Sequence, residues 1–282
     1  MSDGSLIPAG AYRRFCELIY QKTGLFFDEE KRYFVESRVK RRMKALAAGS
    51  FREYFINLRF SRSNDEMQEL INLLTVNETY FNREPQHFDA MINEFLPEYM
   101  AKKAKRGKRE LKIWCMPCAT GEEPYTIAMH LLERIHEIDD WNVHLFASDI
   151  DTCVLEHAQV GIYSTRAVKQ LPNGWTDTYF DHRTRQGQAE YHLRDVLKQS
   201  VEFSLLNMTA ANEVRKMRGM DVIFCRNVLF YFDEPTRRQV ANHLHGCLNF
   251  GGLFFISATE SMSRISNLFK PKRFNGCLGY IK

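Results

Sequence analysis

From Leu111 onward the chain alternates short apolar runs with helical patterns. That alternation constrains the fold more than any other feature, because strand, loop, helix and strand in succession build a parallel sheet covered by helices. Candidate strands lie at 111–115, 144–147, 201–204, 221–225 and 253–257, with helices expected at 123–135, 152–157 and 235–248. More than forty residues separate the second and third strands, too many for a simple crossover, and the alternation over 179–193 predicts a small β insertion at about 165–200. Upstream the texture differs. Apolar residues recur at helical spacing over 12–23, 29–48, 51–59 and 65–74, punctuated by Gly24, Gly49 and the polar stretch at 61–64. The expected organisation is therefore an all-helical domain over 1–75 followed by an α/β domain over 76–282.

Composition excludes several function classes. The 44% hydrophobic and 26% charged balance is that of a folded chain, and 39 basic against 35 acidic residues is too even for a protein that coats nucleic acid. Seven cysteines without a disulfide-scaffold spacing suit a reducing compartment. No leader pattern opens the chain and no run approaches 18 apolar residues, so a cytoplasmic protein without membrane insertion is expected.

The segment from Lys112 to Tyr125 reads as a strand, a tight loop containing Thr120 and Gly121, and a helix start bearing Glu122 and Glu123. A ligand belongs at such an edge, where strand carboxyl ends meet helix N-termini. Asp149 ends the next strand, where an acidic side chain can accept hydrogen bonds from both ribose hydroxyls. The loop lacks both the dinucleotide glycine pattern and the basic residue of a phosphate loop. Its carboxylates would repel pyrophosphate and attract an ammonium or sulfonium group. The same loop holds Cys115 and Cys118 in a thioredoxin-like spacing, for which two buried thiols are the simpler account. No Cys or His pairing has the spacing of a metal site, and no metal is expected.

Four strings occur in order: Asn77-Glu78-Thr79-Tyr80-Phe81-Asn82-Arg83-Glu84, Thr120-Gly121-Glu122-Glu123-Pro124-Tyr125, Ala147-Ser148-Asp149-Ile150-Asp151 and Phe224-Cys225-Arg226-Asn227-Val228. Together they resemble the chemotaxis receptor methyltransferases, which esterify glutamate side chains of bacterial chemoreceptors, and the resemblance spans essentially the whole chain. It implies a Rossmann-like class I methyltransferase domain preceded by a helical receptor-docking domain. It implies S-adenosylmethionine as cofactor, with S-adenosylhomocysteine as product. Asn77, Thr79, Arg83, one or both of Glu122 and Glu123, Asp149, Asn207, Met208, Arg226 and Asn227 would contact the cofactor. Arg83 and Tyr231 would hold the substrate carboxylate as catalytic groups. Two departures stand out: Met116-Pro117 replaces a small residue and glycine before Cys118, and Asn82 replaces the usual second phenylalanine.

The resemblance also gives the basic run over 29–48, with Lys31, Arg32, Arg38, Lys40, Arg41, Arg42 and Lys44, a role in docking an acidic receptor helix; a solvated face is the alternative. The β insertion resembles an element that in some members grips a receptor's C-terminal peptide. The basic stretch 102–109 reads as a flexible, solvated link into the first strand. A monomer that binds no nucleic acid is expected. Rival readings are a noncatalytic adaptor that binds cofactor or receptor, and a nucleic-acid methyltransferase, the latter opposed by the lack of an Asn/Asp-Pro-Pro-aromatic motif.

Overall fold

The computed structural model describes residues 6–61 and 63–282. Residues 1–5, on which the reading of a leaderless start rests, and Arg62 of the polar punctuation at 61–64 lie outside the described residues. The chain divides into two compact units, one formed by Met1–Val76 with Tyr231–Thr236 and one by Asn77–Phe230 with Arg237–Lys282.

The first unit is helical: α1 (Ala9–Thr23), α2 (Arg32–Ala45), α3 (Phe51–Phe60) and α4 (Asp65–Leu74). Local signals set the helix ends. Gly24 takes a left-handed conformation at the end of α1 (φ 77°), and the Ser50 side chain accepts from the Glu53 N–H at the start of α3. The core forms where Phe15 of α1 meets the rings of Phe51 and Phe55 edge-on, at 5.7 and 5.8 Å between centroids. Segment Tyr231–Thr236 completes this unit. The Phe26 N–H donates to the Tyr231 carbonyl at 3.0 Å, and the Tyr20 hydroxyl donates to the Asp233 carboxylate.

The basic helix expected over 29–48 begins as a 3₁₀ turn at Glu29–Lys31, capped by Asp28, and its α-helical part ends at Ala45. Its charges are not equivalent. Arg42 bonds Glu66 and Glu69 of α4 at 2.6 and 3.1 Å, and Arg32 pairs with Glu29 and Glu36. Arg38 lies over the Phe34 ring at 3.7 Å. Lys40, Arg41 and Lys44 project to solvent, and Tyr33 on the same stripe is 86% exposed.

The second unit opens with α5 (Pro85–Asp89), a π-helical segment at Ala90–Phe95, and α6 (Leu96–Ala104). Seven strands then form the main sheet: β1 (Glu110–Cys115), β2 (Asn142–Asp149), β6 (Val201–Leu205), β7 (Met220–Phe224), β8 (Leu248–Phe255), β9 (Lys270–Phe274) and β10 (Cys277–Ile281), in the order β6-β2-β1-β7-β8-β10-β9. The first five in that order are parallel, and β10 and β9 run antiparallel at the edge. Helices α7 (Glu122–Arg134) and α8 (Thr152–Val160) follow β1 and β2. The single-turn helices α9 (Thr165–Val168), α10 (Trp175–Tyr179), α11 (Asp195–Lys198) and α12 (Ala211–Val214) precede the longer α13 (Glu234–Cys247). Between β2 and β6 the chain forms a separate antiparallel sheet, with β3 (Ile162–Ser164) and β4 (Phe180–Arg185) flanking β5 (Gln188–Leu193). Fully buried Leu111, Ile113, Val222, Phe224, Leu253 and Phe255 alternate along the central strands and form the core. Chain direction across the sheet reverses at β1, which has β2 on one side and β7 on the other. The crevice beyond the carboxyl ends of these strands is where a doubly wound sheet binds ligands.

The solvated link expected at 102–109 is corrected by the structure. Helix α6 extends to Ala104, and Lys103 donates to buried Asp221 at 2.7 Å. Asp221 also accepts from the Tyr99 hydroxyl, the Lys112 N–H and the Asn249 amide. A buried carboxylate of this kind persists because its oxygens are saturated with donors.

Candidate active site

The loop after β1 is pinned to both neighbouring strands. The Met116 N–H donates to the Phe224 carbonyl at 2.8 Å and the Cys118 N–H to the Ser148 carbonyl at 2.9 Å, and the Met116–Pro117 peptide is cis. Gly121 turns the chain into α7 with φ 93°. A Cβ there would stand 2.9 Å from that of Ala158, so both conformation and space demand glycine. Cys115 and Cys118 are free and buried, and burial pushes both thiols well above their usual range, which suppresses the thiolate that redox exchange requires.

The loop presents Glu122 and Glu123 in unlike settings. Glu122, 4% exposed, accepts from the Thr120 hydroxyl at 2.7 Å and has no cationic partner among the described residues. Burial pushes it up to about 7. Glu123 is taken by Arg226, whose Nη1 lies 2.5 Å from Oε2, while its other oxygen is buried without a hydrogen-bond partner.

Asp149, at the end of β2, is also buried and pushed up to about 6 by burial. Its Oδ2 accepts from the Ala119 N–H at 2.9 Å and its Oδ1 from the Asp151 N–H at 3.1 Å, so it ties the β1 loop to its own strand end. Asp151 caps α8 through the Cys153 and Val154 amides, and its second oxygen accepts from the Asn77 amide at 2.7 Å.

Arg226 follows β7 and is 4% exposed. Besides Glu123 it reaches the Glu84 carboxylate and the Arg83 carbonyl, each at 2.7 Å. Burial works against the guanidinium charge, and Glu123 and Glu84 outweigh it. Burial likewise opposes ionisation of Glu84, but His87 and Arg226 hold that carboxyl well below the usual range. Asn227, with φ 58°, donates from its amide to Ser257 Oγ at 3.0 Å, and Ser257 donates to Glu84 at 3.2 Å. Glu260 accepts from the amides of Asn227, Leu229 and Ser257 and so shapes the same turn.

Arg83 stands apart from this knot. Its Nη1 donates to the Glu78 carbonyl at 2.7 Å and its guanidinium lies 5.6 Å from the Tyr80 ring, but no carboxylate pairs with it among the described residues. Thr79, partly exposed, has no hydrogen-bond partner among them. Asn207 uses its side-chain oxygen in a turn, accepting from the Thr209 N–H and hydroxyl, and Met208 is 5% exposed. Tyr231 belongs to the helical unit. Sequence reasoning singled out neither Glu84, Ser257 and Glu260 nor Asp151's hold on Asn77. For Asp151 the signal was available, since an aspartate just before a helix is a capping residue.

Two connected clusters thus meet at the β1 loop: Asn77, Asp151, Asp149 and the loop amides, and Arg83, Arg226, Glu84 and Glu123. Among the described residues, the Glu122 carboxylate and the Arg83 guanidinium have no ion-pair partner, and the Thr79 hydroxyl has no hydrogen-bond partner. With Asp149, that set fits S-adenosylmethionine: a carboxylate for its cationic methionine end and, at Asp149, oxygens with acceptor capacity beyond the two loop amides for its ribose diol.

Comparison with known proteins agrees with this chemistry. Residues 10–75 match the model described as CheR methyltransferase, all-alpha domain, and residues 77–275 match CheR methyltransferase, SAM binding domain. The chain is 45% identical over 269 residues to chemotaxis protein methyltransferase 2 of Vibrio cholerae, covering 95% of this chain and 91% of that relative. It is 35% identical to chemotaxis protein methyltransferase 2 of Pseudomonas aeruginosa, covering 92% and 89%, and 35% identical to the chemotaxis protein methyltransferase of Escherichia coli, covering 95% and 90%. Together the two models account for residues 10–75 and 77–275, over a helical unit and a parallel-sheet unit, and the chain belongs to the CheR methyltransferase family.

Proposed function

We propose that the protein methylates glutamate side-chain carboxylates of chemoreceptors, in the cytoplasm, with S-adenosylmethionine as donor. Bound cofactor supplies an electrophilic methyl group on a sulfonium, which passes to a carboxylate oxygen and leaves a neutral thioether. A glutamate carboxyl with a pKa of about 4.3 is already ionised at neutral pH, so this chain needs no general base. Its task is alignment and charge placement. Glu122 would hold the cationic end of a bound cofactor, Asp149 would accept from its ribose hydroxyls, and Asn77, Thr79, Asn207, Met208 and Asn227 would complete the pocket. Arg83 holds the substrate carboxylate through its two-pronged donor geometry. Tyr231 enters this reading only through the family resemblance, and Arg226 with Glu123 serves it as support for Arg83 and the loop.

The observation that carries the reading is the contrast between neighbouring guanidinium groups. Arg226 is sealed by two carboxylates, whereas Arg83 has none and is available to a substrate carboxylate. The test is incubation with methyl-labelled S-adenosylmethionine and receptor-rich membranes. Base-labile label in receptor bands, released as methanol, is expected. Cofactor binding without receptor label, or label entering RNA, would overturn the assignment.

The exposed stripe of α2 supports docking of an acidic receptor helix through Lys40, Arg41 and Lys44. Arg42 contributes through the fold, because its guanidinium is spent on α4. No helix among the described residues is long and apolar enough to cross a membrane.

A further inference from the structure

We infer that Asn82 is a positioning residue for the transfer step, fixing Arg83 by clamping its segment between α7 and the β insertion. The inference rests on the reading of Arg83 given above. Asn82 uses its backbone amide and both polar side-chain atoms in one directional chain. Its N–H donates to Thr126 Oγ1 at 3.1 Å, and Thr126 itself donates to the Glu122 carbonyl at 2.6 Å. Its Nδ2 donates to the Gln170 carbonyl at 3.0 Å, in the chain that joins β3 to β4 of the insertion. Its Oδ1 lies 3.1 Å from His130 Nε2. Arg134, which can only donate, approaches His130 Nδ1 at 3.1 Å, so the proton sits on Nε2 and points at Asn82. Arg134 is held in turn by Asp89 and Asn93, and the imidazole stacks on Phe88 at 5.1 Å.

The neighbouring residue strengthens the clamp. Phe81 donates its N–H to the Ala167 carbonyl and packs its ring edge-on against Tyr163 and Phe180, at 4.8 and 5.4 Å. On the far side of Arg83, Arg226 holds the Arg83 carbonyl and the Glu84 carboxylate. Arg83 is thus fixed along the backbone on both sides, while its guanidinium, bonded to the Glu78 carbonyl through Nη1, has no carboxylate partner among the described residues. Both flanking residues adopt left-handed conformations, Asn82 at φ 58° and Glu84 at φ 55°, and asparagine tolerates that region better than most residues. A phenylalanine side chain at 82 could make neither of the two side-chain hydrogen bonds, to Gln170 and His130, that tie the Arg83 segment to the insertion and to α7. Asparagine therefore makes the geometry of Arg83 depend on both α7 and the insertion.

The test uses the full chain and steady-state methylation of receptor-rich membranes at a temperature well below the thermal midpoint. Asn82→Gly keeps the left-handed backbone and removes only the side-chain ties. It should lower kcat at least about 10-fold, with KM for receptor and Kd for cofactor within about 2-fold, as expected when a reacting group is misplaced rather than removed. His130→Phe keeps the ring stack and removes the donor to Asn82, and it should lower kcat in the same direction. This second variant decides the matter if Asn82→Gly does not fold. Wild-type kcat in the folded variants, with only the midpoint lowered, would overturn the inference. Arg83→Ala is measured alongside. If it also keeps its turnover, the reading of Arg83 has failed and the inference falls with it; if it alone loses turnover, only the role of Asn82 is wrong.

Discussion

Arg83→Ala should lower kcat about 100-fold or more, roughly 2.7 kcal/mol, the scale for losing one preorganised donor. Arg83→Lys should recover little of this, because a point charge does not reproduce a forked donor. Circular dichroism showing an intact fold with turnover retained would remove Arg83 from the chemistry. Glu122 yields a prediction of another kind. Burial raises its pKa from 4.5 to about 7, so the folded state binds more protons than the unfolded state between those values. The stability this group confers is complete below about pH 4.5 and is lost as pH rises to about 7, at up to about 1.4 kcal/mol per pH unit. Glu122→Gln should therefore raise the thermal midpoint at pH 8 and leave it near wild type at pH 4.5, while weakening cofactor binding. Equal midpoint shifts at both pH values would contradict this. Such residues differ in how far the sequence exposes them. Asp149 and the Glu122/Glu123 pair follow from strand-end and helix-start logic, but the choice between the two glutamates depends on Arg226, 103 residues away. No local pattern reports that distance. Asn82 appeared in sequence only as a missing aromatic contact, and its partners at Thr126, His130 and Gln170 come from three places brought together by folding.

Among elements, the parallel strands were legible because they are buried runs of apolar residues, and observed boundaries differ from the expected ones by one or two residues, apart from β8, which begins five residues earlier. The β9–β10 hairpin was not. Strand β9 reads Lys-Pro-Lys-Arg-Phe and lies at the sheet edge, where charge and proline discourage further pairing and also erase the apolar signature of a strand. Helix α6 misleads in the opposite direction: its final lysines look like a solvated linker, yet one of them reaches Asp221. Lys103→Met should cost about 2 to 4 kcal/mol, because it leaves a buried carboxylate without its cation. Lys102→Met should cost far less, since its partner Glu98 is itself exposed and the pair is screened by solvent. Urea unfolding of the two variants would separate them, and equal losses would refute the distinction.

At the scale of the whole molecule, a net charge of +4 is modest, so attraction to an acidic receptor depends on where charge is concentrated. Reversing Lys40, Arg41 and Lys44 to Glu should raise KM for receptor and flatten its salt dependence, with cofactor affinity unchanged. Unaltered receptor kinetics would reduce the stripe to a solvated face. Including Arg42 in the reversal would confound the experiment, because its loss would also loosen α2 from α4.

The return of Tyr231–Thr236 to the helical unit bears on how relatives of this protein can be recombined. Phe26 takes a hydrogen bond partner, and Tyr20 a carboxylate, from a stretch encoded far downstream of the helices they belong to. A hybrid spliced once, at the junction of Val76 and Asn77, would pair one parent's helices with the other parent's closing segment. Transfer of the helical unit between family members therefore calls for transplanting both pieces together. Splicing only the first should yield a hybrid whose helical part melts early even when both parents are stable.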